Sequence, residues 1–129
     1  MLNDPLANAF SKIMNAELAG KTECILRPAS KLLLKLLEMM QAGSYIGEFK
    51  VIEDKKGNVI KLNLIGKINK GTVIKPRYAV KKNEFEKFEK RYLPAKDFGI
   101  IFVSTSKGIM GHKEAKEKGL GGRLIAYIY

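Results

Sequence analysis

"YIGEFKVIEDKKGNVIKLNLIGKINKG", Tyr45 to Gly71, decides the fold class. Two β-rich runs, "YIGEFKVIED" and "VIKLNLIGKI", stand either side of the short stretch "KKGN". A connection that short joins antiparallel neighbours, and Gly57-Asn58 provides residues that tolerate a tight hairpin turn. No helix is interposed, so the regular strand–helix alternation of a doubly wound parallel sheet is missing, and the class expected is α+β. The end of the stretch, "GKINKG", is polar, basic and bracketed by Gly66 and Gly71. A boundary is expected there, between a domain of residues 1–68 and one of 69–129.

Upstream, Asp4-Pro5 reads as a helix start, an acceptor cap followed by proline at the first helical position. Leu6, Phe10, Ile13, Met14 and Leu18 follow at helical spacing, and Gly20 ends the run. "TECILRP" is a short strand stopped by Pro28. Ser30 caps a second helix, "KLLLKLLEMMQA", which is apolar over most of its circumference, expected to be largely buried, and stopped by Gly43. The first domain is therefore αβαββ. Downstream, "TVIKPRYAVKK" is one extended run, with Pro76 marking an edge or a bulge. Asn83 and Glu86 form a capping pair for the short helix "EFEKFEKRYL", whose charges suggest a solvated face. "FGIIFVS" is a buried strand, "HKEAKEKG" a short polar helix and "GRLIAYIY" a closing strand. The second domain is β-rich with short helices.

The 129 residues carry 24 Lys and Arg against 13 Asp and Glu, a net charge of +11. Such an excess repels itself, and polyanions are the partners that offset it: nucleic acid first, an anionic membrane surface second. The single cysteine, Cys24, excludes an internal disulfide and fits a small core residue in a reducing compartment. No apolar run approaches the ~20 residues that span a bilayer, and "MLNDPLANAF" lacks the basic and apolar regions of a signal peptide. One His and one Cys make no His/Cys metal site, so no metal or cofactor is expected.

The chemistry concentrates in "VSTSKGIMGHKEA", Val103 to Ala115. A buried strand ends on Ser104, Thr105 and Ser106, followed by Lys107, Gly108 and the lone His112. A hydrolase using Ser106 and His112 is one reading, but the order is neither a nucleophile elbow nor a phosphate-binding Walker loop. RNA recognition is the other. Hydroxyls donate and accept towards base edges and the ribose 2′-OH, Lys107 meets a phosphate, and Gly108 permits close backbone approach. A Ser/Thr turn capping the next helix would look the same locally. Arg77 and Tyr78 suit a phosphate and a base face, although an aromatic on a strand is more often core. Tyr127 and Tyr129 alternate and so share a face.

"STSKGIM", then "HKEAKEKGLGG" and a terminal strand, resembles the signature end of the S-eight family of small-subunit ribosomal proteins. "NDPLANAFSKIMNAE" and "RPASKLLLKLLEMMQAGSYIGEFKVIED" resemble its first elements, so the likeness runs over the whole chain. "YIGEF", "KPRY", "LPAKDFG", "GHKEA" and "GGRLIAYIY" resemble archaeal or eukaryotic members; bacterial ones carry an acidic residue where Arg123 stands. The resemblance implies two α+β domains and a primary binder of small-subunit ribosomal RNA, docking on a helix of the central domain during assembly. It implies a main RNA grip at Ser104, Thr105, Ser106, Lys107 and Gly108, with Gly121 and Gly122 near the same surface; Arg123, where this sequence departs from the bacterial pattern, is a further candidate RNA contact. It implies secondary contacts at Ser30, Lys31 and Asn15. It also implies no catalysis, neighbouring ribosomal proteins as partners, no membrane, a cytoplasmic ribosomal location and a monomer off the ribosome. Another basic RNA-binding module is the alternative.

Overall fold

Apolar spacing sets the first helix. In α1 (Pro5–Leu18), Leu6, Ala9, Phe10, Ile13 and Ala16 form the buried stripe. Leu18, expected on that stripe, is 82% exposed, because it lies about 200° round the helix from Ala16, which completes the face instead. The helix closes as a Schellman turn: Lys21 N–H donates to Ala16 O and Gly20 N–H to Glu17 O, with Gly20 at φ 71°. The structure, a computed structural model, describes residues 5–27, 29–53, 58–75, 77–95 and 98–129. The expected cap at Asp4, the stop at Pro28, Gly57 of the hairpin turn and Pro76 lie outside the described residues.

The chain divides into two compact units, Met1–Ile68 and Asn69–Tyr129. In the first, β1 (Glu23–Leu26) leads to α2 (Lys31–Ala42), capped by Ser30, whose Oγ accepts the Leu33 N–H at 3.1 Å. Leu33, Leu36, Leu37 and Met40 are buried, while Lys31, Lys35 and Glu38 stay exposed. The helix stops at Gly43 as expected, with that glycine as its C-cap. Gly43 keeps φ −85°, and Ser44, at φ 62°, takes the left-handed position. Tyr45 N–H then donates to Met40 O and Ser44 N–H to Gln41 O, so the reversal needs residue 44, not 43, in that conformation.

Strands β2 (Ile46–Ile52) and β3 (Val59–Leu64) form the antiparallel hairpin, with Asn58 at φ 57° in its turn. β3 is the central strand of the order β1-β3-β2. Cys24 pairs with Leu62 and Leu26 with Ile60, so one face of the sheet is apolar and meets α1 and α2. Cys24 is buried on that face.

In the second unit, β4 (Gly71–Val73) and β5 (Ala79–Val80) replace the single extended run expected from "TVIKPRYAVKK". Both pair with β8 (Gly122–Ile128), and the ladder is interrupted between them. Helix α3 (Phe85–Tyr92) starts at Glu84 without a side-chain cap, so the expected Asn83–Glu86 pair is replaced. Glu84 instead accepts the Lys81 N–H on Oε1 at 2.9 Å. Nor is this helix merely a solvated face: Phe85, Phe88 and Glu89 are buried.

Strand β6 (Ile100–Thr105) turns directly into β7 (Gly108–Gly111), a strand that hydrophobic patterning does not reveal, and α4 (His112–Glu117) follows. The order is β4-β8-β6-β7, with β5 also on β8. Ile101, Val103, Met110, Leu124 and Tyr127 share a core with Phe85 and Phe88 of α3. Aromatic rings continue it as a row, Tyr78–Phe88–Tyr92–Tyr127–Tyr129–Phe98, with neighbouring centroids 5.2–6.5 Å apart.

Candidate nucleic-acid interface

The three hydroxyl residues behave differently. Thr105 pairs with Gly108 across β6 and β7, leaving Ser106 and Lys107 as the two-residue tip of a hairpin. The Thr105 hydroxyl donates to Gly108 O at 2.7 Å and accepts the Lys107 N–H at 3.1 Å, so it is spent on the turn. Gly108 has φ 112°, which a side chain would strain, although open space surrounds it. Ser104, Ser106 and Lys107 are exposed. Among the described residues no group is bonded to the Ser104 or Ser106 hydroxyl.

Arg123 joins this edge by register. It stands opposite Ser104 on one side and Ala79 on the other, and directly opposed residues share a face of the sheet. Its Nη1 donates to Arg77 O at 3.4 Å, which holds the two arginines on one strip. Gly121 and Gly122 do not open onto free space. A Cβ at Gly122 would run into the Ser104 carbonyl, and one at Gly121 would lie 2.5 Å from Val80 O. Their bareness lets β8 pass close to β5 and β6.

Tyr78 is half-buried against the core rather than presented as an open platform. Its ring lies 5.9 Å from Phe88, with the Arg91 guanidinium 5.2 Å from its centroid. Tyr92, beside it in the row, has its phenol pushed up by burial; the Arg91 charge opposes the shift, and Tyr78 and Tyr127 add to it. Ser30, Lys31 and Asn15 stand in the first unit. Ser30 accepts with its oxygen as a cap, and Lys31 is exposed beside it. Asn15 lines a shallow groove with Lys12, Lys21 and Cys24. Burial pushes the Cys24 thiol up, while the Lys12 and Lys21 charges pull it back. A thiol kept protonated is a core group, not a nucleophile.

His112 is not a base for Ser106. It is 1% exposed, and its Nδ1 accepts the Ile101 N–H at 3.0 Å. Its Nε2 lies 3.8 Å from Glu89 Oε1, and Lys116 Nζ holds the same oxygen at 2.5 Å. β7 runs away from the hairpin tip, putting His112 about 13 Å beyond Gly108 at the usual strand rise. The imidazole therefore serves the packing of α4 against β6 and α3. Among the described residues no three His, Cys, Asp or Glu gather as metal ligands, and no helix is long and apolar enough to cross a membrane.

Charge singles out the same unit. Residues 69–129 contain 14 Lys and Arg against 6 Asp and Glu, net +8; residues 1–68 contain 10 against 7, net +3. The sequence did not single out Lys81 and Lys82, two exposed cations at the far side of the glycine pair, because nothing local distinguishes them from other surface lysines. A family model described as Ribosomal protein S8 matches residues 4–129, almost the entire chain, and the chain belongs to that family.

Proposed function

We propose that this chain is a primary binder of small-subunit ribosomal RNA, that it docks on a helix of the central domain, and that this supports subunit assembly. Family membership itself gives the coarser statement: a structural, non-enzymatic protein of the small ribosomal subunit that binds ribosomal RNA on the cytoplasmic ribosome, among other ribosomal proteins. The finer reading rests on one observation above all. Ser104 and Ser106 keep their hydroxyls free at an exposed hairpin edge beside Arg123 and Lys107, in the unit of higher charge.

The chemistry follows from what RNA offers. The deep, narrow major groove of an A-form helix hinders side-chain reading, so recognition falls on distorted elements, base edges and 2′-hydroxyls. Ser104 and Ser106 supply donors and acceptors for those groups. Lys107, Arg77 and Arg123 neutralise phosphates and release counterions. Thr105 and Gly108 shape the turn that presents them, and Gly121 and Gly122 set the strand spacing beneath. Residues 69–129 form the RNA-binding domain in this reading, and Tyr78 buttresses it from the aromatic row. In residues 1–68, Lys31, the Ser30 O–H and Asn15 make secondary contacts. In this reading the chain is a monomer off the ribosome and a member of the archaeal or eukaryotic type.

Purifying the protein with its bound RNA and sequencing that RNA tests the reading. One irregular helix of the small-subunit central domain should dominate. Equal recovery of unrelated RNAs would contradict it.

A further inference from the structure

The glycine pair joins the hydroxyl hairpin to a second cationic turn. Gly122 abuts Ser104 on β6, while a Cβ at Gly121 would lie 3.2 Å from Lys81 Cα and 3.3 Å from Lys82 N. Lys81 and Lys82 follow directly on β5, which pairs with β8 at Ala79–Arg123 and Val80–Gly122. The turn is fixed at both ends. Glu84 N–H donates to Lys81 O at 2.9 Å, and Lys81 N–H donates to Glu84 Oε1 at 2.9 Å. The carboxylate nearest in sequence is thus occupied by backbone. Both lysines are exposed, and among the described residues neither holds an ion pair.

Strands β5, β8 and β6 are consecutive neighbours, so two inter-strand spacings, about 10 Å, separate the lysine turn from the hairpin strand. Between them β8 passes close to both neighbours at Gly121 and Gly122, where a Cβ would meet the backbones of Val80 and Ser104, and the next residue, Arg123, stands opposite Ala79 and Ser104. We propose that Lys81 and Lys82 form a second phosphate-binding arm, gripping the RNA backbone on the far side of Gly121, Gly122 and Arg123 from the Ser106–Lys107 tip. This rests on the RNA reading of the hairpin. The glycines then act as positioning residues that fix the separation of the two arms, and the lysines act as point charges on phosphate rather than as readers of sequence.

The test compares four full-length proteins, wild type, Lys81→Ala/Lys82→Ala, Lys81→Arg/Lys82→Arg and Lys107→Ala, with Lys50→Ala/Lys67→Ala as a charge-matched control in the first unit. Binding to a small-subunit ribosomal RNA fragment and to a plain RNA duplex is measured against salt, with thermal melting alongside. The alanine pair should make the log–log slope shallower by about 1.8, two phosphates at about 0.9 each, on both RNAs. The arginine pair should restore the slope, the control should leave it unchanged, and melting should not move. An alanine pair that behaves like the control, while Lys107→Ala still flattens the slope, overturns this inference and leaves the hairpin reading standing. A wild type whose binding ignores salt overturns both.

Discussion

Three adjacent hydroxyls have two fates, and side-chain type alone does not separate them. Thr105 closes the turn with two hydrogen bonds, whereas Ser104 and Ser106 face outward. Thr105→Val should therefore lower the stability of the protein by about 1 kcal/mol, since the bonds lost are exposed and water partly replaces them. Chemical denaturation checks this, and an unchanged midpoint would contradict the turn's role. Glu17 makes a second case at this scale. Its Oε2 is buried without a hydrogen bond among the described residues, and burial pushes the carboxyl above its ordinary 4.5. The folded state therefore holds a proton more tightly than the unfolded chain, and stability falls as pH rises through the window above 4.5. Glu17→Gln removes the charge from this partly buried group. It should melt higher than wild type at pH 7, with the advantage fading as pH falls below 4.5. An equal difference at both pH values would contradict this. The sequence showed that hydroxyls, a cation and a glycine gather at a strand end. It could not show that β7 returns along β6, because "GIMG" is four residues long and two are glycine.

At the scale of elements, strong patterns were legible and short ones were not. α1, α2 and the β2–β3 hairpin could be read because periodicity, cap and turn signals agree over many residues. The split of one run into β4 and β5 is set by what β8 can pair with, a non-local fact. His112 and Glu89 were equally hidden. Each looks like a surface residue of a charged helix, yet α3 and α4 bury both, and the half-exposed Lys116 reaches Glu89 across 27 residues of sequence. The end of α2 shows what a local stop signal leaves out. Gly43 ends the helix as expected, but the left-handed conformation falls on the next residue, Ser44, at φ 62°. A side chain there is strained where glycine is not. Ser44→Gly should raise stability by roughly 0.5–1 kcal/mol, read as a shift in the denaturation midpoint. A loss would mean that the Ser44 side chain contributes more than its backbone strain costs.

At the scale of the whole molecule, the net charge of +11 is unevenly shared, +8 in residues 69–129 against +3 in residues 1–68. Composition alone pointed to a polyanion. Its concentration in the unit that carries the free hydroxyls is what the proposed reading uses: there the cations would hold the RNA backbone and the hairpin would read what it is held against. If about five phosphates are neutralised, the log–log slope of RNA affinity against salt is of order −4. The most direct measurement of the central claim takes a single sample of Ser106→Ala and records both its thermal melting and its affinity for the cognate ribosomal RNA fragment. The account predicts melting like that of wild type and a loss of roughly 1–3 kcal/mol in binding, the cost of leaving an RNA group at the interface without its partner. Unchanged RNA affinity in that sample, with or without a change in melting, would contradict it.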